Sequence, residues 1–217
     1  MIVAIDGGVA SGKSAVGRRV AEKLGLPFVD SGLMYRAITR LAAEHDVDPH
    51  DSEAITRLAQ TTDVKVDGDR VWANGVELTG GIYDSDHADA LPLVSAIPGV
   101  REALVGQQRR MGGTGVVMAG RDIGTVVFPD ADHKFFLTAS LEEKVRRRAA
   151  QYERRGERVD AEAMRKEVAE RDRVDMQRAV APLRPATDAV VIDTDHLDVE
   201  QVVDVILKNI AERSAAE

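Results

Sequence analysis

The chain has 217 residues, and its 37 acidic and 29 basic side chains give a formal net charge of −8 at pH 7, which argues against a general nucleic-acid binder because phosphate backbones favour basic surfaces. It contains no cysteine, which excludes disulfide bonds, thiolate metal sites and a thiol nucleophile. No stretch approaches the ~20 apolar residues of a membrane span and no signal-peptide pattern opens the chain, so we expect a soluble, cytoplasmic protein with one domain.

Short apolar runs alternate with helical periodicity along most of the chain. Residues 2–5 form an apolar run, a glycine-rich loop follows, and residues 13–24 carry apolar side chains at helical spacing, which is the start of a βα unit. The alternation predicts an α/β fold, with a parallel sheet covered by helices on both faces and ligands at the carboxyl ends of the strands. The predicted strands are residues 2–5, 28–30, 116–118, 133–138 and 189–192, and the predicted helices are residues 13–24, 33–44, 52–60, 98–111, 160–179, 198–210 and one that begins after Ser140.

An insert with a different period interrupts this alternation. From residue 64 the apolar side chains recur at every second position, and Asp-Gly at 67–68 and Asn-Gly at 74–75 separate the runs. These dipeptides are the strongest short-range signals of a hairpin, so we predict a small three-stranded antiparallel insert. A loop containing Pro92 follows, and Pro98 begins the next helix.

Residues 7–14, GGVASGKS, match the phosphate-loop pattern G-x-x-x-x-G-K-[ST] in full. The motif stands between a predicted strand and a predicted helix, which disfavours the alternative of a simple glycine-rich turn. Backbone N–H groups of such a loop surround phosphates, Lys13 can reach the β- and γ-phosphates, and Ser14 offers its hydroxyl to Mg²⁺. The predicted nucleotide-binding residues are Gly7, Gly8, Val9, Ala10, Ser11, Gly12, Lys13, Ser14 and Ala15.

The rest of the chain narrows the class of phosphate-loop protein. Its two asparagines, Asn74 and Asn209, do not begin the Asn-Lys-x-Asp motif with which a GTPase reads guanine. A large motor or transporter ATPase needs a longer domain. A small ATP-dependent kinase remains, whose chemistry needs little beyond positioning and neutralisation of the transferred phosphoryl group.

The stretch VDSGLMYR, residues 29–36, follows the second predicted strand. It offers Ser31 as a hydrogen-bonding group and Arg36 one helical turn further on. The alternative is that Asp30 or Ser31 only caps the next helix, and the two roles are compatible.

Two further stretches place acids beside arginines. Arg171, Asp175 and Arg178 lie on one face of a predicted helix, and Arg121 and Asp122 follow a predicted strand. A solvated row of ion pairs is the alternative for the helix. A nucleoside monophosphate would need arginines for its phosphate, an acid for its sugar hydroxyls, and, if its base is cytosine, an acceptor such as a carboxylate for the exocyclic amine.

An arginine-rich segment, KVRRRAAQYERRGER, follows a capping box formed by Ser140 and Glu143. It predicts a lid that closes over the phosphates and excludes water. A solvated amphipathic helix is the alternative. Its arginines are Arg146, Arg147, Arg148, Arg154, Arg155 and Arg158.

Taken together, IDGGVASGKS, DSGLMYRA, VREAL, GRDIGTVVFPDA, ERDRVD and RAVAPLRPA resemble the bacterial cytidylate kinases, a family of the nucleoside monophosphate kinase superfamily. The resemblance covers nearly the whole chain. It implies transfer of the γ-phosphoryl group of ATP to CMP or dCMP, with Mg²⁺ and no covalent enzyme intermediate.

The resemblance also implies roles for individual residues. Ser31, Arg101 and Asp122 would read the base, Asp175 would bind the sugar hydroxyls, and Arg178 would lie near base or phosphate. The implied contacts to the phosphate of the monophosphate are Arg36, Arg121 and Arg171. The candidate catalytic residues are Lys13, Arg121, Arg147, Arg148 and Arg178.

In this family the chain would be one kinase domain, with a core (1–60, 98–145 and 179–217), a monophosphate-binding insert (61–97) and a lid region (146–178). We expect a monomer whose partners are the small molecules CMP, dCMP and ATP, with no nucleic acid and no membrane. Ala119, Pro92 and Tyr83 depart from the family pattern. Two alternatives stay open: a kinase for another small metabolite, such as shikimate or dephospho-coenzyme A, and, because of Ala119, a nucleotide-binding protein with an inactive kinase fold.

Overall fold

A parallel sheet forms the centre of the computed structural model, which describes residues 1–83, 89–154, 156 and 160–214. Its strands are β1 (Ile2–Gly7), β2 (Phe28–Asp30), β6 (Val116–Gly120), β7 (His133–Thr138) and β8 (Val190–Asp193). The strand order is β2-β6-β1-β7-β8, and each neighbouring pair is parallel. The expected parallel sheet is confirmed, although β6 runs two residues beyond its predicted end.

Helices cover both faces of this sheet. In the described residues they are α1 (Lys13–Leu24), α2 (Ser31–Glu44), α3 (Ser52–Thr61), α4 (Leu91–Ala96), α5 (Pro98–Met111), α6 (Leu141–Glu153), α7 (Ala161–Gln177) and α8 (Val199–Ser214). Val3 and Ile5 of β1 pack into one apolar cluster with α1 and α8, whereas Ala4, between them, packs into the other cluster with α2 and α5. This alternation follows from the two-residue period of a strand.

The predicted insert is a three-stranded antiparallel sheet of β3 (Val64–Asp67), β4 (Arg70–Ala73) and β5 (Val76–Glu77). Its turns have positive φ angles at Gly68 (60°) and Gly75 (81°), which explains why each turn contains glycine. The insert packs against the core, because its buried side chains share an apolar cluster with α2.

A π-helical turn, Ile123–Val127, follows β6 and was not predicted. The backbone N–H groups of its first two residues, Ile123 and Gly124, each donate to a carboxylate oxygen of Asp6 at 2.8 Å. Asp6 stands at the end of β1, so a residue distant in sequence supplies the acceptors for this turn. Local periodicity contains no signal for such a contact.

Two local predictions were wrong in part. The loop expected around Pro92 contains α4, with the proline in its first turn. At α6, Ser140 accepts from the Glu143 backbone as a capping box requires, but the Ser140 N–H donates to Asp195 instead of Glu143. The Glu143 carboxylate accepts from arginines of its own helix, whose charge makes them stronger donors.

No helix in the described ranges combines the length and apolar character that crossing a membrane requires.

Candidate active site

A cavity of about 440 Å³ opens at the carboxyl ends of β1, β2 and β6. The phosphate loop after β1, the start of α2 after β2 and the Gly-Arg-Asp stretch after β6 all contribute to its wall. All the predicted substrate-binding residues line it, as does Arg148. Of the predicted nucleotide-binding residues, Gly7, Gly8 and Ser11 do not line the cavity.

The phosphate loop has the backbone conformation that its glycines and small residues allow. Gly12 and Ala10 have φ angles of 90° and 52°, in the left-handed region. At Gly7 an added Cβ would lie 2.5 Å from the carbonyl oxygen of Leu137, so only glycine fits beside β7. The loop therefore bends tightly between β1 and α1.

Lys13 is buried, and its Nζ donates to the carbonyl oxygen of Gly8 at 2.9 Å. Burial, together with the nearby charge of Arg121, lowers its pKa to about 7. The charges of Asp30, Asp175 and Asp172 raise this pKa but do not offset the lowering. A bound polyphosphate would supply further negative charge.

Ser14 and Asp30 form an oxygen pair in the cavity. The Ser14 hydroxyl donates to Asp30 Oδ2 at 2.5 Å, while Asp30 Oδ1 accepts from the Gly32 backbone and caps α2. Sequence reasoning considered Asp30 only as a cap and missed its contact with the phosphate loop. Oxygen ligands of this kind suit Mg²⁺, which usually takes one or two protein groups besides phosphates and water. No cluster of three or more metal-ligating side chains occurs among the described residues.

Arginines outnumber carboxylates among the residues that line the cavity. Arg121 Nε donates to Asp175 Oδ2 at 2.7 Å, and Arg178 contacts the same carboxylate at 3.4 Å. Arg171 is 3.9 Å from it. Although burial raises the pKa of Asp175, Arg121 and Arg171 lower it below its usual value. Three arginines around one ionised carboxylate leave net positive charge for an anion.

The pKa of Arg171 shows the same excess of positive charge. Burial and the charges of Arg121, Arg36 and Arg148 together lower it to about 10, while Asp175 opposes them. A bound phosphate between these guanidinium groups would relieve the repulsion. The cluster thus has the charge of a phosphate site before any ligand binds.

Asp122 pairs with Arg101 and not with its neighbour in sequence, Arg121. Both partners are buried, with 6% and 3% of their side chains exposed. Arg101 also stacks on Tyr35, 5.2 Å from the ring centroid, and donates to the carbonyl oxygen of Ser95 at 3.0 Å. Tyr35 and Ser95 line the cavity, and sequence reasoning missed both. The position of Tyr35, one helical turn after Ser31, could have indicated that it faces the same site, whereas Ser95 lies on α4, in a stretch predicted to be a loop.

Ser31 and Arg36 lie at the start of α2. The Ser31 hydroxyl donates to the carbonyl oxygen of Ala119 at 2.9 Å, which ties α2 to the end of β6. The guanidinium of Arg36 stacks on Tyr83, 4.7 Å from the ring centroid. Tyr83 belongs to the predicted insert, so this stack joins the insert to the cavity wall.

Three of the predicted lid arginines lie in three different places. Arg148 lines the cavity, but Arg147 lies behind the phosphate loop, where it donates to the carbonyl oxygens of Ser11 and Thr194 at 3.3 and 2.6 Å. Arg146 pairs with Glu143 at the surface. Two further predicted lid arginines, Arg155 and Arg158, lie outside the described residues. A direct catalytic role for Arg147 stays a prediction.

Comparison with known proteins identifies the family. The family model described as cytidylate kinase matches residues 3–212. The chain belongs to the cytidylate kinase family. A cytidylate kinase of Geobacillus kaustophilus is 45% identical over 97% of this chain and 96% of its own length, and one of Pelotomaculum thermopropionicum is 45% identical over 96% and 95%.

A cytidylate kinase region also occurs within longer proteins. A bifunctional pantoate ligase/cytidylate kinase of a Synechococcus species is 43% identical over 99% of this chain, but the chain spans only 42% of that protein. Among solved structures, shikimate kinase of Bacteroides thetaiotaomicron has a TM-score of 0.51 at 13% identity and covers 99% of this chain and 98% of its own. That likeness supports the phosphate-loop kinase fold. The family model and the relatives confirm the predicted resemblance to cytidylate kinases.

Proposed function

We propose that this chain transfers the γ-phosphoryl group of ATP to CMP or dCMP, giving CDP or dCDP and ADP. Family membership supports the reaction. The structural observation that supports it most is that one cavity is lined both by the phosphate loop, with Lys13 and Ser14, and by the cluster of Arg121, Asp122 and Asp175. A phosphoryl donor and a nucleotide acceptor can therefore meet in the same space.

At the donor end, Lys13 would pair with the β- and γ-phosphates of ATP. The left-handed turn at Gly12 directs the loop into the helix start of α1, whose free N–H groups favour anions. Ser14 and Asp30 would hold Mg²⁺ directly or through water. When bound, the metal neutralises charge on the phosphates.

At the acceptor end, Arg36, Arg121 and Arg171 would bind the phosphate of CMP. Their excess of positive charge opposes the electrostatic repulsion between two nucleotides. Asp175 would accept hydrogen bonds from the sugar hydroxyls, because its depressed pKa keeps it ionised. Arg178 lies between Asp175 and Asp122, 3.4 and 3.9 Å from them, which suits a role near both phosphate and base.

The base would lie against the Arg101–Asp122 pair. The exocyclic amine of cytosine is a donor that the Asp122 carboxylate can accept, whereas uracil has an oxygen there that the carboxylate would repel. Ser31 and Ser95 add hydroxyl groups within the same cavity. A preference for cytidine nucleotides follows from this arrangement.

The same proposal covers the domain organisation, the lid, the oligomeric state and the localisation of the protein. The chain would act as one kinase domain with its core, its insert at 61–97 and its lid region at 146–178. Arg148 would approach the transferred phosphoryl group when that lid closes. The kinase would act as a monomer in the cytoplasm on small-molecule substrates.

A coupled ADP-release assay with ATP and Mg²⁺ tests the proposal. We expect turnover with CMP and dCMP, much less with UMP and AMP, and none with shikimate or dephospho-coenzyme A. Lys13→Met, prepared in the same way, should lose at least about a hundredfold in turnover, because one preorganised phosphate contact is commonly worth ~3 kcal/mol; this variant excludes a contaminating kinase. ATP binding without turnover on any acceptor would favour an inactive kinase fold and reject the proposed reaction.

A further inference from the structure

A buried ion pair joins the lid region to the phosphate loop. Lys144 of α6 and Asp172 of α7 are 2.6 Å apart, with 10% and 12% of their side chains exposed. Lys144 binds Asp172 Oδ2, and the second carboxylate oxygen, Oδ1, accepts a hydrogen bond from the backbone nitrogen of Val9 at 3.0 Å. A carboxylate from a lid helix therefore binds directly to the loop that is predicted to hold ATP.

Gly8 makes this approach possible. A Cβ at this position would lie 2.7 Å from Asp172 Oδ1 and 3.0 Å from Oδ2. These distances are too short for a side chain, so the glycine leaves the space that the carboxylate occupies. The absence of a side chain at Gly8 is thus what lets Asp172 of α7 lie against the phosphate loop.

The charge of Asp172 acts on the cations of the site. Burial lowers the pKa of Lys13 and works against the raised pKa of Arg121, and Asp172 is one of the carboxylates whose charge raises both. A negative charge this close to the phosphate loop would also repel the polyphosphate of ATP. Lys144 lies against the carboxylate and offsets that charge.

We propose that Asp172 is a positioning residue that holds the Gly8–Val9 part of the phosphate loop against α7, and that Lys144 neutralises it so that ATP can bind beside it. The inference rests on the proposed function only in taking ATP as the ligand. It assigns the pair to ATP binding, whereas a purely structural ion pair would affect folding stability alone.

The charge part of the proposal is tested by the dissociation constant for ATP with Mg²⁺, measured by calorimetry without CMP. We compare the wild type with Lys144→Met, Asp172→Asn and the double variant. Removing the lysine charge should weaken ATP binding about tenfold, because Asp172 is then uncompensated. The double variant should return to within about threefold of the wild type, and Asp172→Asn should bind ATP at least as tightly as the wild type.

A matched control comes from the exposed pair Lys166 and Glu162 on α7, whose side chains are 76% and 77% exposed. Lys166→Met and Glu162→Gln should leave ATP binding unchanged. The charge role is overturned if the double variant binds ATP as weakly as Lys144→Met, or if all variants bind equally. If Lys144→Met does not fold, Asp172→Asn still decides, since weaker ATP binding by that variant contradicts the proposal.

The positioning part is tested by Asp172→Ala against Asp172→Asn, which remove the same charge. The amide oxygen of asparagine can still accept from Val9, whereas alanine leaves that N–H without its acceptor. We expect the dissociation constant for ATP to be about tenfold higher in the alanine variant than in the asparagine variant, and equal values in both would overturn the role. Absence of CMP turnover in the wild type would reject the proposed function, while the ATP dissociation constants would still decide this inference.

Discussion

At the scale of single residues, burial without full charge compensation distinguishes the cavity from the surface. The ion pairs at the surface, such as Lys166 with Glu162, are exposed and contribute little. Lys13 and Arg171 are instead held where burial lowers their pKa values to about 7 and about 10. Such groups gain from an anionic ligand, because the ligand restores the charge compensation that water would have provided.

Lys13 should make ATP binding dependent on pH. In the free chain its pKa is about 7, and a bound phosphate raises it, so protonation favours binding. The dissociation constant for ATP should therefore rise between pH 7.5 and 9, by up to about tenfold per pH unit. Calorimetry across this range measures the slope. Lys13→Met should bind weakly with a much flatter slope, and equal slopes in both proteins would contradict the prediction.

Asp122 should govern the choice of base. Asp122→Asn replaces an acceptor by a group that can also donate, so the variant should tolerate the oxygen of uracil. We expect the ratio of kcat/KM for CMP over UMP to fall by about tenfold or more, since one hydrogen-bonded contact is worth ~1–3 kcal/mol. The dissociation constant for ATP is the control and should stay within about threefold. An unchanged CMP to UMP ratio would remove Asp122 from base recognition.

At the scale of elements, α2 organises the acceptor side. Its first residue, Ser31, binds the end of β6, and its cap, Asp30, binds the phosphate loop. Tyr35 and Arg36 follow one turn later and line the same cavity. The first turns of α2 therefore connect the phosphate loop, the acceptor site and the insert. A helix that begins directly at the carboxyl end of a buried strand can present several consecutive residues in this way.

The insert should contribute to acceptor binding through the ring of Tyr83. Its stack with Arg36 orients a guanidinium that we assign to the phosphate of CMP. Tyr83→Ala should raise KM for CMP about three- to tenfold with kcat nearly unchanged. Tyr83→Phe keeps the ring and should behave like the wild type in the same steady-state assay. If the two variants are equally impaired, the stack is not the cause.

At the scale of the whole molecule, Asp6 joins the first strand to the turn after β6. Burial raises its pKa to about 6, although the N–H groups of Gly124 and Ile123 lower it in part. The folded chain thus binds a proton at Asp6 at pH values where the unfolded chain, with a pKa near 3.8, has lost it. This contribution to stability is complete below about pH 4 and is lost as the pH rises through about 6.

Asp6→Asn should remove this pH dependence. Two pKa units correspond to about 3 kcal/mol, so the contribution of Asp6 to the free energy of unfolding should fall by up to that amount between pH 4 and 7. Urea denaturation at several pH values measures the slope for the wild type and the variant. The exposed Glu162→Gln variant is the control and should follow the wild type. The idea fails if Asp6→Asn and the wild type have parallel curves.

The sequence by itself determined the features that depend on neighbours along the chain. The phosphate loop between β1 and α1 and the glycine turns of the insert were predicted from short patterns, because backbone conformation there is set by the residues themselves. Much of the acceptor site was also predicted, since several of its residues follow strand ends or share a helix face, but Arg101 was predicted only from the family resemblance, and Tyr35 and Ser95 were missed. The family resemblance added the role of each residue.

Only the tertiary structure decided how these residues are paired. Arg121 and Asp122 are adjacent in sequence yet bind different partners, Asp175 and Arg101, because side chains at successive positions point in different directions. Arg147 lies behind the phosphate loop because its partners, among them Thr194, come from segments distant in sequence. Contacts between segments far apart in the chain depend on the packing of whole elements, and the apolar periodicity of one element does not tell which polar side chains of two distant elements will meet.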